Sequence, residues 1–158
     1  MPVNLVHVYN SSVKDKNIGY GNGFRLNYHQ TIEPVEISGE DYYRYTDGDG
    51  TIHYFYYDDD KSQWIIDSGL KFTLTIGSVS NEKYTVKDTA NQKFIFNSSG
   101  QLVKIVDNNE QTILIQYTNN RITTISDGAD RNFTLTYGND GNLNKIVSPY
   151  GTKTFAYT

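Results

Sequence analysis

The residues most able to do chemistry are three histidines, eighteen carboxylates and a set of aromatics. His7, His29 and His53 lie far apart in sequence, with no cysteine and no i,i+4 pair beside them, so the spacing of a zinc site is missing. They read as ordinary strand or loop histidines, His53 as a cross-strand packing partner on an aromatic-rich run. Asp47-Gly48-Asp49-Gly50-Thr51, with Asp58 further on, has the outline of a calcium loop, but Ile52 stands where that loop needs glycine. Asp58 is also too short to imitate a bidentate glutamate, and turn chemistry accounts for these aspartates more simply. Asp58-Asp59-Asp60 reads as a solvated hairpin tip, with room for weak adventitious cation binding. Paired carboxylates for glycoside cleavage would have to face a groove, whereas these acidic residues fall at turns. Gly19-x-Gly21-x-Gly23 is no dinucleotide fingerprint, because its third glycine comes too early and no helix follows. Trp64, Tyr54 and Tyr56 are the candidates for stacking on sugar rings, against the ordinary reading of inter-strand packing. No residue is assigned a catalytic, cofactor-binding or metal-binding role, and the chain is read as a non-enzyme that needs no cofactor.

The elements that position these residues follow from composition. Apolar residues make up 37% of the 158, and fourteen tyrosines stand beside one methionine and one tryptophan, so the core must be built from Tyr, Ile, Leu, Phe and Val. Branched and aromatic side chains pack well across neighbouring strands, which makes the chain all-β. A net charge of −4 without a long basic run gives no attraction to phosphate backbones or anionic lipid, and nucleic acid is excluded as a partner. No apolar stretch approaches a membrane helix and the start lacks the pattern of a signal peptide, so membrane insertion is not expected. Cysteine is absent, which removes disulfide and thiol chemistry.

Residues 1–40 read as a lead-in: a short alternating strand from Val3 to Tyr9, a polar loop, then Phe24-x-Leu26-x-Tyr28, with Glu33-Pro34 through Gly39-Glu40 as a turn or edge segment. From 41 onward hairpin follows hairpin. Tyr42 to Thr46, the Asp47-Gly48-Asp49-Gly50 turn and the strand Thr51 to Tyr57 come first. Next are a strand at Trp64 to Ile66, a turn at Asp67-Ser68-Gly69, Phe72-x-Leu74-x-Ile76, Tyr84-x-Val86-x-Asp88 and Phe94-x-Phe96.

The clearest organisation lies at 97–157. Tyr117, Tyr137 and Tyr157 sit twenty residues apart, and each closes a segment of one design. The segments begin Leu102-x-x-Ile105-x-Asp107, Ile122-x-x-Ile125-x-Asp127 and Leu143-x-x-Ile146, and they end in the alternating runs Ile113 to Tyr117, Phe133 to Tyr137 and Phe155 to Tyr157. Leu-x-x-Ile is too short for a helix, since nucleation would not be repaid, and a β-bulge would reconcile its two apolar positions. One hairpin cannot bury a face alone, so the units must stack into a one-sided sheet. The beat still running at Phe155-Ala156-Tyr157-Thr158 suggests a piece of a longer array.

This pattern, Gly-x-Leu-x-x-Ile-x-Asp followed by a strand closing in tyrosine, resembles the Rhs or YD repeat of large bacterial surface and secreted proteins. Residues 42–158 look like such units, and His7 to Ser11 with Gly21 to Asn27 look like the segment that introduces them. The residue after the tyrosine is Thr118 or Gly138 here, and only Tyr57-Asp58 keeps the literal dipeptide. The resemblance implies a strip of antiparallel hairpins that spirals into a hollow shell, as in polymorphic toxins, Tc-type toxin components and teneurins. In the bacterial relatives the shell encloses a C-terminal toxic segment. The chain would then be a non-catalytic wall section of a secreted or cell-surface protein, its partners being further repeats and the effector of the same parent chain. The alternative is a recognition module for a cell-surface glycan or protein. Two free sheet edges also lead to an expectation of edge-to-edge self-association.

Overall fold

A computed structural model describes residues 1–66 and 69–157, so Asp67 and Ser68 of one expected turn, and Thr158, lie outside it. The fold is all-β, and among the described residues fifteen strands follow in chain order. They are β1 (His7–Tyr9), β2 (Phe24–Leu26), β3 (Thr31–Ile37), β4 (Glu40–Thr46), β5 (Ile52–Asp58), β6 (Gln63–Ile66), β7 (Thr73–Ile76) and β8 (Tyr84–Lys87). The series continues with β9 (Lys93–Phe96), β10 (Leu102–Val106), β11 (Thr112–Thr118), β12 (Arg121–Asp127), β13 (Asn132–Tyr137), β14 (Leu143–Ser148) and β15 (Gly151–Thr154). β1 and β2 form a two-stranded sheet, and β3 to β15 form a single antiparallel sheet of thirteen strands, each paired with its chain neighbours. The sheet starts at Thr31, ahead of residue 41, and its first strand is an edge strand that carries Pro34, a residue unable to donate to a ladder.

Turn chemistry repeats as regularly as the strands. Asp47, Asp88, Asn97, Asp107 and Asp127 each accept, on one side-chain oxygen, the backbone N–H groups two and four residues on. The backbone N–H of each donates to the carbonyl four residues on, and the residue before that one takes positive φ: Gly50, Asn91, Gly100, Glu110 and Asp130. This is the three-residue hairpin loop closed by a left-handed residue, nucleated by a side chain that mimics a backbone acceptor. The strand expected at Val3 to Tyr9 is shorter, with only His7–Tyr9 paired, while Val3 and Leu5 pack on the core outside any ladder. Phe155 and Tyr157 likewise fall just past β15: the Phe155 N–H turns to the Asn144 carbonyl at a bulge in the neighbouring strand.

The sheet curls. Its apolar positions, among them Tyr45, Phe55, Val86, Phe96, Leu102, Ile113, Ile122, Ile125 and Leu143, lie on the concave side and form one core with Tyr20, Leu26, Tyr28 and Ile32 of the lead-in. The curl brings the start of β3 against the β9–β10 turn, where Thr31 bridges Gln101 and the Ile32 N–H donates to the Gly100 carbonyl at 2.9 Å. A Cβ at Gly100 would lie 1.9 Å from the Ile32 carbonyl oxygen, so only glycine permits this closure. No helix among the described residues is long and apolar enough to cross a membrane.

Candidate functional site

The residues singled out by the repeat form one recurrent device. Leu102 and Ile105, Ile122 and Ile125, and Leu143 and Ile146 are all buried although three-residue spacing in a strand would put each pair on opposite faces. The register shows why: Val103, Thr123 and Asn144 are extra residues without a partner, so each Leu-x-x-Ile element contains a bulge at its second position. A bulge frees backbone groups from the ladder, and burial makes free polar groups costly. The Tyr117 hydroxyl donates to the Leu102 carbonyl at 2.8 Å, that of Tyr137 to Ile122 at 2.8 Å, and that of Tyr157 to Leu143 at 2.7 Å. Each tyrosine thus latches onto the bulge that opens its own unit. Burial, and next the neighbouring Tyr137, pushes the Tyr117 hydroxyl up from its ordinary range, keeping it a neutral donor. Asp107 and Asp127 complete the device as turn acceptors. Against the burial penalty, the N–H groups of Ala129 and Arg131 and the Arg131 guanidinium, 2.7 Å away, hold the Asp127 carboxyl below the usual range.

The lead-in supplies the rest. The Leu102 N–H donates to the Gln30 carbonyl at 3.3 Å and the Leu143 N–H to the Gly19 carbonyl at 2.7 Å, so residues 19 to 30 run along the bulged strand starts. Tyr20 is its anchor, buried beside Tyr137 with ring centroids 6.4 Å apart. His7 Nε2 meets the Tyr20 carbonyl at 2.8 Å and His29 Nδ1 meets its hydroxyl at 2.9 Å, so two of the three histidines clasp one tyrosine. Burial, and then Arg25, lowers the His29 pKa to about 4. The third, His53, stacks on Tyr45 across the strand pair and bonds Asp47 Oδ2 at 2.8 Å. In the acidic loop Asp47 and Asp49 turn their remaining oxygen contacts to the N–H and hydroxyl groups of the turn itself.

The aromatic candidates separate. Cross-strand pairing places Trp64 opposite Tyr57, on the face that carries Phe55 and Ile66, whereas Tyr54 and Tyr56 alternate to the other face with Tyr42. Tyr54 stands apart, while Tyr56 and Trp64, although on opposite faces by parity, border one common recess. Where the core ends, towards the turns at 38–39 and 59–62, the inner face instead opens into two adjoining recesses that share Asp41, Tyr42 and Trp64. Trp64 there meets the Tyr43 ring at 4.9 Å and the Tyr57 ring at 5.5 Å, both edge-on. Glu36, Asp41 and Asp59 border them. Of the lining residues, Trp64 and Tyr56 are the two that the sequence marks as binding candidates; the signal that finds the others is the Tyr57–Trp64 pairing across the Asp58–Gln63 hairpin. Compared with known proteins, the chain matches no protein-family model, and no curated protein matches its sequence.

Proposed function

We propose that this chain is a non-catalytic wall element of an Rhs-type β-shell, in a bacterial secreted or surface protein whose shell encloses or presents an effector segment. The observation that carries the reading is the latch repeated at Tyr117, Tyr137 and Tyr157, each bonded to the bulge that opens its own unit. A unit that satisfies its own irregular backbone and leaves its strands to pair with the next can be added indefinitely, which is what a wall requires. The curl of the sheet supplies the curvature, and the resemblance of 97–157 to Rhs repeats supplies the family. On this reading the lead-in, laid along the strand starts, seals the beginning of the array. Limited proteolysis of the full-length gene product tests it. The effector segment should resist protease until the wall is denatured; cleavage at the rate of an unstructured peptide would overturn the reading.

A further inference from the structure

The two adjoining recesses at the open end of the inner face carry no role in the wall. Their inner-facing side chains, by the alternation that buries Ile32, Tyr45, Phe55 and Ile66, are Glu36 on β3, Asp41 and Tyr43 on β4, Tyr57 on β5, Asp59 just beyond it, and Trp64 on β6. Three inner-facing aromatic rings therefore make the floor and three inner-facing carboxylates the rim, with Tyr42, Tyr56 and a fourth carboxylate, Glu40, at the outer border. No Lys, Arg or His lines either recess, and among the described residues none of the three carboxylates is in an ion pair. The nearest cation on that turn, Lys61, is turned to Asp58 at 3.6 Å. Tyr57 is 47% exposed, so the floor is open to a ligand. Aromatic faces carry negative potential, and carboxylates beside them add to it, so the trough repels anions and favours a cation that can lie on a ring. Crossing four strands, it runs for about 14 Å, the length of about four extended residues.

We propose that this trough is a binding site for a short extended peptide segment bearing arginine side chains, the guanidinium planes lying on Trp64 and Tyr57 and pairing with Asp41, Asp59 and Glu36. Guanidinium fits better than ammonium because it is planar, weakly hydrated and able to stack while it bonds a carboxylate. The site is independent of the shell reading: a wall without it and a site without a shell are both physically coherent.

Trp64 is the only tryptophan of the chain, so its emission reports on this trough alone. Titration of the intact chain with acetyl-tetra-arginine amide should change that emission saturably, and 0.5 M salt should weaken binding because rim carboxylates are screened. The double variant Asp41→Asn/Asp59→Asn should bind about tenfold more weakly, while Glu110→Gln, which removes a carboxylate at a distant turn, should bind like the parent. The proposal is overturned by an emission that does not saturate. It is equally overturned if the double variant keeps the parent affinity, if Glu110→Gln loses as much, or if cellotetraose saturates the signal and the arginine peptide does not.

Discussion

Removing one hydroxyl from Tyr137 isolates the latch from the packing of its ring. Tyr137→Phe leaves the aromatic contacts in place but strips the donor from the Ile122 carbonyl, 2.8 Å away on a residue with no exposed surface. The bulge at Thr123 has moved that carbonyl out of register with its neighbours, so no ladder N–H replaces the hydroxyl. A buried acceptor left without a partner costs about 1–3 kcal/mol, and the wet rim of the unit, where Tyr137 is only partly buried, places the loss in the lower half of that range. At about 2–4 °C per kcal/mol for a chain of this size, the melting temperature should fall by about 2–8 °C. The control is Tyr9→Phe, at a residue that is 53% exposed and whose hydroxyl has no hydrogen-bond partner among the described residues. Surface changes of that kind stay within about 0.5 kcal/mol. Urea denaturation followed by circular dichroism gives both values. Equal stabilities for Tyr137→Phe and Tyr9→Phe would refute the latch, whatever the rings contribute.

Other consequences follow from the same geometry. Gly39 and Gly100 both have φ near +80°, but a Cβ at Gly39 meets nothing within 4 Å while one at Gly100 would strike the Ile32 carbonyl. Gly39→Ala should therefore cost only the left-handed strain, about 1–2 kcal/mol, and Gly100→Ala several kcal/mol more, in denaturant titrations of the two variants; similar losses would contradict the closure of β3 on the β9–β10 turn. His29 has a folded pKa of about 4 against an ordinary 6.5, so the unfolded chain binds the extra proton between those values. Its contribution is complete above about pH 6.5 and is lost as pH falls to about 4, by roughly 3 kcal/mol in all. His29→Gln should flatten that part of the stability–pH curve, and an unchanged slope would count against the buried clasp on Tyr20. The free edge of β15, whose four residues are all exposed, should give concentration-dependent association in light scattering; a monodisperse monomer at millimolar concentration would contradict it.

Much of this was legible in the residues because local rules govern it. Strand alternation, Asp-initiated turns and the twenty-residue beat gave the all-β hairpin sheet, and the bulge in Leu-x-x-Ile was required by two apolar residues that had to share a face. Its position was not legible, since either middle residue could have been the extra one. The tyrosine hydroxyls were hidden for a different reason: a ring that packs and a ring that also donates occupy the same place in an alternating pattern. The lead-in was the least legible part. Gln30 meets Leu102 and Gly19 meets Leu143 across long stretches of chain, and nothing local in the polar loop marks those carbonyls as partners. Trp64, Tyr54 and Tyr56 were grouped by nearness in sequence, but face is set by parity, and the hairpin at Asp58–Gln63 returns Trp64 opposite Tyr57 instead.

Whether these strands are a stretch of shell wall is decided by an electron cryomicroscopy map of the full-length gene product. In a shell wall the thirteen-stranded sheet should continue, strand by strand from β15, around a lumen. A map in which the sheet ends at β15 as a separate compact body, with no wall and no lumen, would contradict the shell proposal.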